Sequence, residues 1–155
     1  MFGKIRNIAT RVNSLTDDQI LDFIMSDDDI KQMMIALNQK QLYELGLQAD
    51  GSPTGDYSPV TVKIKEASGQ PTDHITLKDT GDFYNSMKVT IGYNYARIEA
   101  DTVKTVDDYK DKGLQVDLLD RWPKALGLTD ESIKEILPEV KKRFIAAIRK
   151  VVLAA

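Results

Sequence analysis

Asp79-Thr80-Gly81 is the triplet on which aspartic proteases place a catalytic carboxylate, two copies sharing one proton across a dimer. Its flanks argue against that chemistry. Such a site usually follows apolar residues and precedes a small one, whereas Lys78 and Asp82 stand here, and no apolar strand carries the second glycine those enzymes use. Asp79 reads better as the start of a turn, and a dimeric aspartic-type protease is the lesser alternative. His74 is the single histidine and there is no cysteine, so the sequence offers no usual zinc site, thiolate nucleophile or Ser-His-Asp triad within one chain. No glycine-rich run of the phosphate-cradling or dinucleotide-binding kind occurs. Asp27, Asp28 and Asp29 lack the alternating oxygen ligands, glycine and closing glutamate of a calcium loop, and instead suit the positive end of a helix. Tyr93 and Tyr95 offer rings for stacking on bases, with Lys88 and Arg97 the cations nearby. A nucleic-acid-binding accessory role is the second alternative. No catalytic residue, metal ligand or cofactor site is expected.

The elements that would position these residues fall into three blocks: helical 1–46, loop and strand-rich 50–101, and loop plus C-terminal helices 102–155, all within one structural domain. Phe2, Ile5, Ile8 and Val12 have helical spacing. Thr16 with Gln19 has capping-box spacing, which predicts a helix over about 17–25. Ser26 is expected to cap a further helix whose face carries Ile30, Met33, Met34, Leu37 and Leu45 and which ends near Gly46. Between Asp50 and Pro71 the vocabulary is that of turns, and 50–56 and 66–73 are expected as exposed loops. Val60, Val62 and Ile64 alternate with polar residues as in a strand, although a helical turn after Ser58-Pro59 fits as well. His74–Leu77 reads as a short strand, and 89–93 with 96–100 as a hairpin around Asn94. Val106–Leu119 is expected as a loop with a short helix, and Trp122-Pro123 as a turn. Thr129 should cap a last helix that Pro138 kinks or splits, beyond which Val140, Phe144, Ile148 and Val151 share a buried face. The fold class is α+β, a small antiparallel sheet packed with N-terminal and C-terminal helices.

The 155 residues are 42% hydrophobic and 29% charged, enough to bury a core, and no run of about 18 apolar residues suggests a membrane span. The start lacks the apolar stretch and cleavage site of a secretory signal, so the cytoplasm of the producing cell is expected. The net charge of -3 is unevenly spread. Residues 1–13 hold Lys4, Arg6 and Arg11 and no acid; 14–50 hold eight acids against Lys31 and Lys40; 138–155 hold five bases against Glu139. Such polarity suits head-to-tail contact between copies, with Asp27, Asp28 and Asp29 facing Lys141 and Lys142 of the next.

Tyr57-Ser58-Pro59-Val60-Thr61, followed by Leu77-Lys78-Asp79-Thr80-Gly81-Asp82-Phe83-Tyr84-Asn85-Ser86 and then a pair of strands, resembles a pattern of tailed-bacteriophage neck and tail-completion proteins, the head–tail joining or virion morphogenesis group. In that group a Tyr-Ser-Pro-x-Thr segment leads through a variable loop to Leu-x-x-Thr-Gly-x-(apolar)-x-x-Ser. Tyr57, Pro59, Thr61, Leu77, Thr80, Gly81, Phe83 and Ser86 fill its positions, and the likeness extends over about 35–101. The resemblance implies a non-enzymatic virion protein of the connector, neck or tail end, assembled in the host cytoplasm as a ring of identical subunits. Its partners would be other neck, portal or tail proteins, with transient DNA contact and no membrane. The motif also has local physical sense. Gly81 would supply a positive φ, Phe83 and Met87 would be buried, and Ser86 would satisfy a backbone group.

If Asp79 only shapes a turn, Asp79→Asn will leave assembly intact or weaken it only modestly, and the parent will cleave no peptide. Proteolysis by the parent that vanishes in the variant would reverse that assignment.

Overall fold

The computed structural model describes residues 2–26, 28–106 and 113–153, with side chains described over 6–26, 28–105 and 113–153. Three helices open the chain: α1 (Phe2–Asn13), α2 (Asp17–Met25) and α3 (Asp28–Tyr43). The expected capping box starts α2: Thr16 Oγ1 accepts from the Gln19 amide while Gln19 Oε1 accepts from the Thr16 amide. Ser26 departs from expectation. It closes α2, its hydroxyl donating to the Phe23 carbonyl, rather than opening α3. Asp28 and Asp29 do occupy the first turn of α3, and Asp27 lies outside the described residues. Leu45 is also misplaced by the helical pattern, because α3 ends at Tyr43 and Leu45 points to water.

The middle of the chain contains α4 (Pro59–Ala67), α5 (Asp82–Asn85), β1 (Lys88–Gly92) and β2 (Tyr95–Glu99). The alternation of Val60, Val62 and Ile64 does not make a strand. Ser58 accepts from the Thr61 amide and Pro59 fills the first helical position, and these two local devices outweigh β-branched propensity. His74–Leu77 is not a strand either; Leu77 has φ 55°, which breaks an extended run, and among the described residues no strand pairs with it. The hairpin is as expected, antiparallel with Lys88 opposite Glu99 and Gly92 opposite Tyr95, and Asn94 takes φ 59° in its two-residue turn. The Asn94 amide donates to Asp18, which ties the hairpin tip to α2. Residues 50–56 and 68–73 are irregular, but Thr54 in the first is buried, and Glu66 and Ala67 belong to α4.

Beyond Asp101, β3 (Val103–Val106) pairs antiparallel with β4 (Leu114–Asp117), strands the sequence did not suggest; of the expected loop, 107–112 lie outside the described residues, and the expected short helix begins at Leu118. Each strand is only four residues long, too short to leave a clear periodic signal. The chain then runs through α6 (Leu118–Arg121) into α7 (Asp130–Leu153), which Thr129 opens by accepting from the Ser132 amide. Pro138 does not split α7, which is assigned as one 24-residue helix. The buried line of α7 is also displaced from expectation. It follows Ser132, Ile136 and Ala147, with Val140 packed on the core, and Phe144 is 41% exposed.

The fold is α+β, but its described strands form two separate two-stranded antiparallel sheets instead of the single sheet expected, with terminal helices packed against the first. One apolar cluster joins Ile24 and Met25 of α2, Ile30 and Leu37 of α3, and Ile136 of α7, with Ile91 and Ala96 of the first hairpin against it. A second gathers Leu42, Ile75, Leu77, Phe83, Tyr84, Met87 and Ala125. Helix α3 reaches both. Between its apolar contributions lie Asn38 and Gln41, almost wholly buried, and these bind the segment before α7. Asn38 Nδ2 donates to the Ala125 carbonyl at 2.9 Å, and Asn38 Oδ1 accepts from the Gly127 amide at 3.3 Å. Gln41 Nε2 donates to the Gly127 carbonyl at 2.7 Å, while its Oε1 accepts from the Thr129 amide and the Ser132 hydroxyl, each at 3.1 Å.

Gly81 has φ 96° immediately before α5, and an added Cβ would meet nothing nearer than Asn85 Nδ2 at 3.6 Å. Any cost of a side chain there is backbone strain rather than a clash. Gly81→Val should destabilise the protein by about 1 kcal/mol or more in urea unfolding; an unchanged midpoint would mean that solution Gly81 is not left-handed.

Candidate functional site

The residues singled out by sequence converge in part. Tyr57, Leu77 and Phe83 meet in the second apolar cluster, and Gly81 is buried at the turn between them. Thr76 organises the group although the sequence reading gave it no role. Its amide donates to the Tyr57 phenol at 3.0 Å, its hydroxyl lies 2.9 Å from the same phenol, and its carbonyl accepts from the Tyr84 phenol. Two aromatic side chains thus satisfy the backbone of a fully buried, irregular segment that has no strand partner. Ser86 does what its position suggested, donating to the Phe83 carbonyl and accepting from the Asp101 amide. Thr80 is exposed and caps locally, its hydroxyl donating to Asp82 at 2.6 Å. Asp79 is exposed at the same turn.

Helix α4 lies against this segment and presents its polarity the wrong way round. Lys65 is only 8% exposed, whereas Val60 and Ile64 are 70% and 61% exposed. The Lys65 ammonium donates to Gln70 Oε1 at 2.7 Å and to the Lys78 carbonyl at 2.6 Å, and stands 5.8 Å from the centre of the Tyr57 ring. Beside it opens a pocket of about 330 Å³ walled by Tyr57, Lys65, Leu77, Lys78, Leu118 and Trp122. Thr61 also lines it, so Tyr57, Thr61 and Leu77 of the motif share one wall, while Pro59 sits exposed at the start of α4. Lys65, Lys78, Tyr84 and Trp122 were missed by sequence reading. Only Lys65 carried a signal: on a helix starting at Pro59 it falls away from the Val60–Ile64 face.

His74 has a structural seat. Its Nε2 donates to the Tyr43 carbonyl and its Nδ1 lies 2.9 Å from the Asp73 carboxylate. Gly46, at φ 61°, makes room for it, since a Cβ there would stand 2.5 Å from the imidazole. At the hairpin tip Tyr93 and Tyr95 are exposed, but Arg97 is engaged by Glu99 at 2.9 Å. The Thr90 hydroxyl, bonded to Glu99, holds that carboxyl below its ordinary range, with Arg97 adding to the effect.

The acidic and basic blocks meet within one chain. Helix α7 packs on α1, α2 and α3, Arg143 lies 3.5 Å from Asp29, and the Lys150 ammonium stands 4.7 Å from the centre of the Phe23 ring. Asp28 pairs with Lys31 at 3.0 Å and Lys142 with Glu139 at 3.2 Å, whereas Lys141 is exposed. Part of the charge complementarity expected between copies is therefore used inside the subunit. Among the described residues no helix is long and apolar enough to cross a membrane.

Compared with protein-family models, curated proteins and solved structures, the chain matches none.

Burial pushes the Tyr84 phenol above its ordinary range, with Tyr57 and Tyr43 adding to the effect. In the unfolded chain that phenol ionises near its usual value of about 10, so the unfolded state gains first as pH rises. The stability due to the neutral folded phenol is full below that pH and declines above it. Urea unfolding at pH 8 and pH 11 should show a smaller alkaline loss in Tyr84→Phe than in the parent; equal losses would contradict the burial of this group.

Proposed function

We propose that this protein is a non-enzymatic structural component of a tailed-bacteriophage particle, placed at the connector, neck or tail end. It assembles in the host cytoplasm as a ring of identical subunits that joins head to tail or completes the tail. The resemblance over residues 57–86 supplies the particle, and one observation supports assembly: α4 turns Val60 and Ile64 outward while it buries Lys65. A short helix that exposes its branched apolar residues and hides its lysine is poorly suited to water on that face.

A ring needs a second, different apolar face, because heterologous contacts pair unlike surfaces of neighbouring copies. Helix α7 offers one. Ile133, Leu137 and Phe144 fall on one side of it at spacings of four and seven, all exposed, beside the residues that enter the core. A second copy is the occupant this reading assigns to both faces. Covering Phe144 by a neighbour would also reconcile its exposure with its place in an otherwise apolar helical pattern.

Light scattering on the purified 17.4 kDa chain, with negative-stain imaging, tests the assignment. The parent is expected to form a closed oligomer, and Val60→Glu with Ile64→Glu is expected to yield monomers with unchanged circular dichroism. Both substituted positions are exposed, so the fold should tolerate them. A parent that stays monomeric both alone and with phage particles, or a double variant that assembles as before, would overturn the reading.

A further inference from the structure

Lys65 poses a problem that ring assembly does not address. The residue is more than nine-tenths buried, yet its ammonium donates to two neutral oxygens and stands near the Tyr57 ring, and among the described residues no carboxylate pairs with it. A buried charge without a counter-ion is costly, and pairing with an opposite charge offsets part of that cost. The pocket beside it, about 330 Å³, is at the small end of the range used for small ligands. Lys78 and Lys104 also line it, against a single acid, Asp79. Neither lysine has an ion-pair partner among the described residues, and the Lys78 ammonium instead rests 4.7 Å from the centre of the Tyr43 ring. Three lysines therefore line the pocket against one acid.

The remaining wall is apolar and rigid. Trp122 is fixed by its indole N–H donating to the Thr54 carbonyl at 2.8 Å, and Tyr57 by its phenol on Thr76. Leu77 is held at φ 55°, a left-handed conformation that a leucine adopts only when its surroundings enforce it. Such prior fixing lowers the ordering cost of binding. Lysine ammoniums are compact point charges rather than planar forks, and Asp79 at the rim disfavours a highly charged guest. We propose that the pocket bounded by Tyr57, Lys65, Lys78 and Trp122 binds a carboxylate carried on an apolar or aromatic group. The carboxylate takes the place of Lys65's missing counter-ion, and the apolar body covers Trp122, Leu118 and Leu77. This site is independent of ring formation and stands whether or not the subunits assemble.

Trp122 is the single tryptophan, so its fluorescence reports on the pocket directly. The probes are 3-phenylpropionate, its neutral amide 3-phenylpropanamide, and acetyl-glycyl-phenylalanine with a free C-terminal carboxylate. The acid should change Trp122 emission saturably, and the amide should bind about tenfold more weakly or less, as expected for loss of a charge-assisted contact. Lys65→Met should weaken the acid by a similar factor while leaving circular dichroism unchanged. Should that variant fail to fold, Lys104→Gln, which alters a lysine with no described partner, must still weaken the acid and leave the amide unaffected. Tighter binding of the peptide than of the small acid identifies a chain end as the natural source; the reverse order identifies a free acid. Equal affinity for acid and amide, or no saturable change with either acid, would remove the site.

Discussion

Asn38 and Gln41, almost wholly buried on α3, clamp the segment that leads into α7 through their carboxamides. They lie on α3 between its two apolar contributions, and together they satisfy backbone groups of Ala125, Gly127 and Thr129. That segment has no helix or strand of its own to satisfy those groups. Burying it without the two carboxamides would orphan several donors and acceptors, each costing on the order of 1–3 kcal/mol. The clamp also sets where α7 begins, because Gln41 holds both the capping residue Thr129 and the Ser132 hydroxyl. From that start α7 runs back across α1, α2 and α3. Position in the fold, rather than sequence distance, thus joins residues nearly ninety apart.

The same logic explains the middle of the chain. The segment around Thr76 passes through the core without a strand partner, and phenols from Tyr57 and Tyr84 serve its backbone. Lys65 serves the Lys78 carbonyl in the same way, through a side chain long enough to reach it. Each of these groups is polar, buried and satisfied; among the described residues no buried side-chain nitrogen or oxygen lacks a partner. This polar framework holds the pocket walls in place, and it turns the apolar edge of α4 outward. The proposed assembly surface and the proposed carboxylate pocket therefore share one cause, the inward commitment of Lys65.

Charge segregation along the chain has a different consequence from the one its blocks suggest in isolation. The acidic α2 and α3 and the basic α7 lie together in one subunit, with Arg143 of α7 near Asp29 of α3 and one pair of the opposite sense, Lys40 of α3 near Glu135 of α7, each at 3.5 Å. These are surface pairs whose individual contributions are small. They favour the observed packing of α7 without dictating it, and apolar contact through Ile24, Ile30, Leu37 and Ile136 supplies the larger part. What stays outward on α7 is an apolar line next to Lys141.

Devices that act over three or four residues were readable along the chain. The Thr16–Gln19 box, the Thr129 cap, the Asn94 turn and the left-handed Gly81 were legible because their hydrogen bonds and φ preferences are local. The α+β class followed from the same signals. At α4 two local signals point in opposite directions, and the Ser58 cap with Pro59 prevailed over the alternation; the long-range partners were a matter of packing. Only the tertiary structure decided that β3 and β4 pair, that Phe144 faces out, and that Asn38, Gln41, Thr76, Lys65 and Trp122 matter. Their partners lie far along the chain, and a polar side chain looks the same in sequence whether water or a distant carbonyl receives it.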